Sequence, residues 1–157
     1  MSGDLVLIDT SVWILVLRKS RPPAIRDEVG HLLAENRVAI APMIRLELLG
    51  GTRSSSEFDR LKSRLSALHE IPADEENWEL ATRLSFELRQ QGRVVPYTDV
   101  LIAAAAMVGG CLLLHADRHF DLMAEVTELN VRSLVSGQGP GDRSRGSGDR
   151  NAEVEGT

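Results

Sequence analysis

Four acidic residues of this 157-residue chain sit in apolar sequence, where a carboxylate is costly to place. Asp9 ends the run LVLID, Glu47 interrupts IRLELL, Asp99 opens onto VLIAAAA, and Asp117 follows LLLHA. Most of the 23 Asp and Glu residues lie on polar faces and need no special account. A lone acid beside an apolar run is most simply a helix cap, its carboxylate accepting a first-turn backbone N–H. That account serves Asp9 and Asp99. It does not serve Glu47, which lies inside a helical pattern with apolar neighbours on both sides. Four such acids in one small domain point instead to a shared site.

Carboxylates that converge repel one another and take up protons unless a cation neutralises them. Hard oxygen donors in that number suit Mg2+ or Mn2+, ions that keep several waters and bind phosphate oxygens well. Such an ion lowers the pKa of a bound water and stabilises charge on a phosphoryl oxygen. The chemistry to expect is metal-assisted phosphodiester hydrolysis.

The elements must bring these acids to one place. Leu5–Ile8, Val38–Ala41 and Cys111–Leu114 are short apolar runs of the kind found in buried strands. A short strand is expected around residues 70–72 and a last one over 130–135. Thr10 or Ser11 can cap a helix over residues 12–17. Pro22-Pro23 opens another, with Ile25, Val29, Leu32 and Leu33 on one face. Pro42 opens the helix that carries Glu47 and stops at Gly50-Gly51. Phe58, Leu61, Leu65 and Leu68 keep helical spacing after Ser54–Ser56, and residues 74–91 form the clearest helix. A helix starting at Thr98 or Asp99 runs to Val108, and a short one covers 117–126. Alternation of this kind predicts an α/β domain with a mainly parallel sheet and helices on both faces. Asp9 and Asp117 then stand at carboxyl ends of strands, where open α/β sheets place their ligands. Glu47 and Asp99 fall in the first two turns of helices that begin near that edge.

Composition narrows the class further. A formal net charge of -5 excludes a broad cationic surface, so nucleic acid would be gripped locally and not by bulk electrostatics. The single cysteine, Cys111, excludes an internal disulfide and a Cys-rich zinc site. No signal peptide or membrane span is legible, which predicts a soluble, cytoplasmic protein. Residues 136–157 are rich in Gly, Ser, Asp and Arg with only Ala152 and Val154 apolar. They predict a disordered tail beyond a working domain of residues 1–135.

The segments VLIDTSVWI, IRLELLGG, YTDVLIAAAA and LLLHADRHFD, in this order and spacing, resemble the PIN-domain ribonucleases and within them the VapC toxins. The resemblance covers roughly residues 4–135. It implies a three-layer α/β/α sandwich around a parallel sheet, a Mg2+- or Mn2+-dependent endoribonuclease acting on RNA, a homodimer, and neutralisation by a VapB-type antitoxin. The family's four acids fall on Asp9, Glu47, Asp99 and Asp117, and the hydroxyl after the first acid falls on Thr10, with Ser11 beside it. Many relatives carry a second acid two residues after the fourth, where this chain has His119. Asp121 lies close enough to compensate, although a surface role on its short helix is the simpler expectation.

Other features yield to simpler accounts. His115, Asp117 and His119 alternate as H-x-D-x-H, but no third His or Cys of suitable spacing supports a zinc site, and His115 is expected to pack at the strand end. Arg118 and Arg93 lie near the expected site and could contact RNA phosphates, though exposed arginines are usually just solvated. Trp13 and Trp78 fit core or interface positions. A haloacid-dehalogenase-type phosphatase would need an Asp where Ser11 stands. A receiver domain would need a late lysine, and the lysines are Lys19 and Lys62. The alternative outside catalysis is a PIN-like module that binds RNA or protein without cutting. Finally, the helices over 12–17 and 58–68 are more apolar than a small sheet requires, which predicts that a second copy and an antitoxin pack there.

Overall fold

The computed structural model describes residues 5–18 and 23–135. In chain order the elements are β1 (Val6–Ile8), α1 (Thr10–Leu17), α2 (Pro23–Ala34), β2 (Val38–Ile40), α3 (Pro42–Gly50) and α4 (Ser55–Leu65). They continue with β3 (His69–Glu70), α5 (Glu75–Gln90), α6 (Tyr97–Val108), β4 (Leu112–His115), α7 (Arg118–Ala124) and β5 (Val131–Ser133). The five strands form one sheet in the order β3-β2-β1-β4-β5, and every neighbouring pair is parallel.

Central β1 pairs Val6 with Val38 on one side and with Leu112 on the other. All three residues of β1 and of β2 are buried, because helices cover both faces of a parallel sheet. The chain builds outward from β1 to β2 and β3, then returns to β4 and β5 on the other side. Right-handed crossovers in those opposite directions place α1–α4 and α5–α7 on opposite faces. The result is the expected three-layer α/β/α sandwich. The reversal falls between β1 and β4, and such a switch point opens a crevice at the strands' carboxyl ends. Asp9 and Asp117 follow those two strands.

The Ala-rich α6 lies deepest of the helices. Val100 to Ala106 are all buried, and α5 packs along its length. Short side chains let the helix approach the sheet closely, which brings its first turn, with Asp99, to the crevice. Phe120 and Met123 of α7 are fully buried and fix that short helix on the sheet.

Several boundaries differ from the sequence expectations. Asp9, rather than Thr10 or Ser11, caps α1, with extended backbone at φ -67° and ψ 155° and its carboxylate accepting the Ser11 N–H. Helix α6 begins at Tyr97 after a Pro96 cap, so Asp99 lies within the first turn and caps nothing. Strand β3 covers His69–Glu70, because its partner residues Ala39 and Ile40 end there. Strand β4 runs through His115, since pairing with Ser133 continues one residue past the apolar run. On α2, Leu33 is exposed and only Val29 is fully buried. The expected tail over 136–157 and the opening Pro22 lie outside the described residues.

Candidate active site

Asp9 is the most enclosed of the four acids, with 4 % of its surface exposed. Its Oδ2 accepts the Ser11 N–H at 3.0 Å and the Ser11 hydroxyl at 2.5 Å. The same Ser11 Oγ accepts the Ala116 N–H at 3.0 Å, tying the end of β4 to the acid that follows β1. Burial pushes the Asp9 carboxyl above its ordinary range; the Ser11 hydrogen bonds pull it back, and the Asp117 charge pushes it further up.

Glu47 reaches the crevice from the second turn of α3. Pro42 starts that helix at the end of β2, which places Glu47 over the neighbouring strand end. Thr10 Oγ1 donates to Glu47 Oε1 at 3.3 Å, so the residue after Asp9 steadies the second acid. Glu47 as a residue is exposed, but partial desolvation of its carboxyl raises it first, then the Asp9 charge, with the Thr10 bond opposing. Asp99 feels the whole cluster. It is pushed up to about 6 by burial first, then by Asp117, Asp9 and Glu47, against the lowering influence of His119. All four acids predicted from sequence therefore meet in one field.

Asp117 caps α7, its Oδ1 accepting the His119 N–H at 3.0 Å. That cap turns the His119 ring toward the cluster. His119 Nδ1 lies 3.1 Å from Asp99 Oδ2 and 3.1 Å from Asp117 Oδ1. Ligand atoms of Asp99, Asp117 and His119 all lie within 4.8 Å of one another. Sequence reasoning treated His119 as a lost acid; the structure places it between two of the acids that remain. The signal was its position, since a site position keeps its place on the fold whatever residue fills it.

Beneath the cluster lies a second polar group. His115 is wholly enclosed, and its Nδ1 accepts the Asp117 N–H at 3.2 Å. Its Nε2 stands 3.2 Å from Asp121 Oδ1, off the line of an ideal hydrogen bond. Ser133 Oγ donates to Asp121 Oδ2 at 3.0 Å. The Asp121 side chain is only 12 % exposed. The surface role expected for Asp121 is thus corrected: its carboxylate is largely enclosed between His115 and Ser133. Strand β4 extends one residue beyond the apolar run and packs His115 inward at the strand end, as expected. Burial lowers the His115 pKa, against the raising charges of Asp121, Asp9 and Asp117.

Arg118 is exposed at the first position of α7, beside the cluster. Arg93 is engaged elsewhere, donating to the Leu122 carbonyl at 2.8 Å and pairing with Glu125 at 2.7 Å. The donor chemistry fits a divalent cation. Desolvation first and mutual repulsion second hold the carboxylates above their ordinary range, and His119 Nδ1 is buried with no aligned hydrogen bond.

Comparison with known proteins agrees with this geometry. The PIN domain family model matches residues 6–126. Ribonuclease VapC51 of Mycobacterium tuberculosis is 39 % identical over 132 residues, covering 82 % of this chain and 92 % of that protein. Ribonuclease VapC18 of the same organism is 32 % identical over 132 residues, covering 82 % of this chain and 93 % of its own length. Among solved structures, VapBC2 from Rickettsia felis, bound to a promoter DNA fragment, superposes with a TM-score of 0.69 at 20 % identity, covering 82 % of this chain and 98 % of that one. The fold, the order of the acids and these relatives converge: the chain belongs to the PIN-domain family, among its VapC ribonucleases.

Proposed function

We propose that this protein is a divalent-metal-dependent endoribonuclease that acts in the cytoplasm as the toxin of a toxin–antitoxin pair, with its nuclease unit in residues 1–135. The observation that carries this reading is the meeting of Asp9, Glu47, Asp99 and Asp117 in one crevice at the β1/β4 switch point. Those four acids would hold Mg2+ or Mn2+. When bound, the ion supplies an acidified water and stabilises charge on the phosphoryl oxygen. The chain's own residues do the rest. Ser11 fixes the Asp9 carboxylate, Thr10 steadies Glu47, and the His115–Asp121–Ser133 group holds the Asp117 turn from below. Exposed Arg118 is placed to meet a substrate phosphate at the rim.

Partners follow from surface chemistry. Exposed Ile14 and Leu17 of α1, and separately Phe58 of α4, offer apolar contacts for a VapB-type antitoxin segment. A basic side chain at the end of such a segment would enter the carboxylate cluster and block it. A second apolar surface lies on α5 and α6, where Trp78, Phe86 and Tyr97 are 55 %, 64 % and 69 % exposed and line one groove. That surface, rather than α1 and α4, is the better candidate for a homodimer contact.

The test is RNA cleavage by the purified chain. Cuts in Mg2+ or Mn2+ that disappear in chelator and return on adding the ion are expected. RNA retained by the protein but left intact in both ions would overturn the enzyme in favour of a binding module.

A further inference from the structure

We propose that His119 is itself a ligand of the metal centre, and that with Asp99 and Asp117 it tunes the site toward a first-row transition cation such as Mn2+ over Mg2+. The inference rests on the metal-dependent reading above and goes beyond it, because it concerns the residue at which this chain departs from the four-acid pattern.

Geometry carries the case. His119 Nδ1 stands 3.1 Å from Asp99 Oδ2 and 3.1 Å from Asp117 Oδ1. Neighbouring donors around an octahedral ion with bonds of about 2.1 Å are about 3.0 Å apart, so the imidazole nitrogen already keeps the spacing of an adjacent ligand to each of the two carboxylates. The Nδ1 atom is buried, yet neither carboxylate oxygen lies where a hydrogen bond to it would be aligned. Its place is fixed by the backbone: the His119 N–H is held on Asp117 Oδ1 at 3.0 Å, and the next residue, Phe120, is fully buried. His115, the other histidine near the cluster, cannot substitute. His115 Nδ1 is occupied by the Asp117 N–H, and its Nε2 faces Asp121.

The chemical consequence is selectivity. Carboxylate and water suit Mg2+ and Mn2+ alike, whereas an imidazole nitrogen strengthens binding of transition ions and adds little for Mg2+. The rival role is a protonated His119 that serves as a built-in counter-charge at the same distances. That role would oppose any cation and favour neither.

Calorimetric titration of the full chain with Mn2+ and with Mg2+ separates these cases, with His119→Asp and His119→Ala in parallel and circular dichroism to check folding. The wild type is expected to prefer Mn2+ over Mg2+ by a ratio at least about tenfold larger than that of His119→Asp, the size of effect seen when groups around a metal are altered. Electron spin echo spectra of the Mn2+ complex should show modulation from a bound nitrogen that His119→Ala abolishes. An equal Mn2+/Mg2+ ratio in all three proteins, with no nitrogen signal, overturns the His119 assignment and leaves the acid centre standing. Failure of the wild type to bind either ion overturns both.

Discussion

Ser11 Oγ lies 2.5 Å from Asp9 Oδ2 and accepts the Ala116 N–H at 3.0 Å, so one hydroxyl links the acid after β1 to the backbone that leads into Asp117. Two acids from separate strands are thereby held in register. Ser11→Ala leaves the Ala116 N–H without its acceptor and frees the Asp9 carboxylate to rotate. The expected cost is about 1–2 kcal/mol of stability and at least about tenfold in cleavage rate. Thermal melting and RNA cleavage rates check both, and wild-type cleavage by a folded Ser11→Ala protein would contradict the linking role.

Asp99 makes stability of the metal-free protein depend on pH. Its folded pKa of about 6 exceeds the ordinary 3.8, so the folded state holds the proton more tightly than the unfolded one. The Asp99 contribution therefore rises as pH falls through 6 toward 4 and is lost as pH rises above 6. His115, with a lowered pKa, acts in the opposite sense below its ordinary range, so the difference between wild type and Asp99→Asn isolates the Asp99 part. In chelator at pH 7.5, Asp99→Asn should be more stable than wild type by on the order of 2 kcal/mol. The gap should close toward pH 4.5. A gap that stays constant or widens on acidification contradicts the assigned field.

Asp121 offers a check on the floor of the site. Asp121→Ala removes the acceptor of the Ser133 hydroxyl and the group facing His115 Nε2. A loss of about 1–3 kcal/mol is expected, well above the usual effect of a surface substitution. A melting temperature unchanged within a degree would return Asp121 to a surface role.

Much of this was legible before the structure. The apolar strands, the helix carrying Glu47 and the four acids follow from period and placement alone, because burial on both sheet faces leaves continuous apolar runs. What sequence patterns could not supply was direction. His115 packs at the strand end as expected, but its facing of Asp121 depends on β4 continuing its pairing through Ser133, a long-range register that no local run encodes. His119 joins Asp99 only because α6 and α7 meet, and the exposure of Trp78 depends on which face of α5 its neighbour α6 covers. Apolar side chains are exposed on α1 and α4, as the sequence predicts, and a second set that local pattern does not reveal is exposed on α5 and α6.

Association distinguishes the two surfaces. A dimer would sediment as a species twice the 17.2 kDa mass of the chain. Phe86→Glu, on α5, should give monomer at micromolar concentration, whereas Leu17→Glu, on α1, should leave the dimer intact. The reverse pattern would restore the first assignment, and a monomeric wild type would remove the dimer.

The most direct test of the central claim is the RNA cleavage rate of four isosteric variants, Asp9→Asn, Glu47→Gln, Asp99→Asn and Asp117→Asn, measured in saturating Mn2+ with melting curves to show that each is folded. Each substitution keeps the shape of the side chain and removes one negative charge from the crevice. Loss of at least about a hundredfold in every variant is expected if the acids work as one metal-binding unit. A folded variant of any of the four that cuts RNA at the wild-type rate would contradict the account.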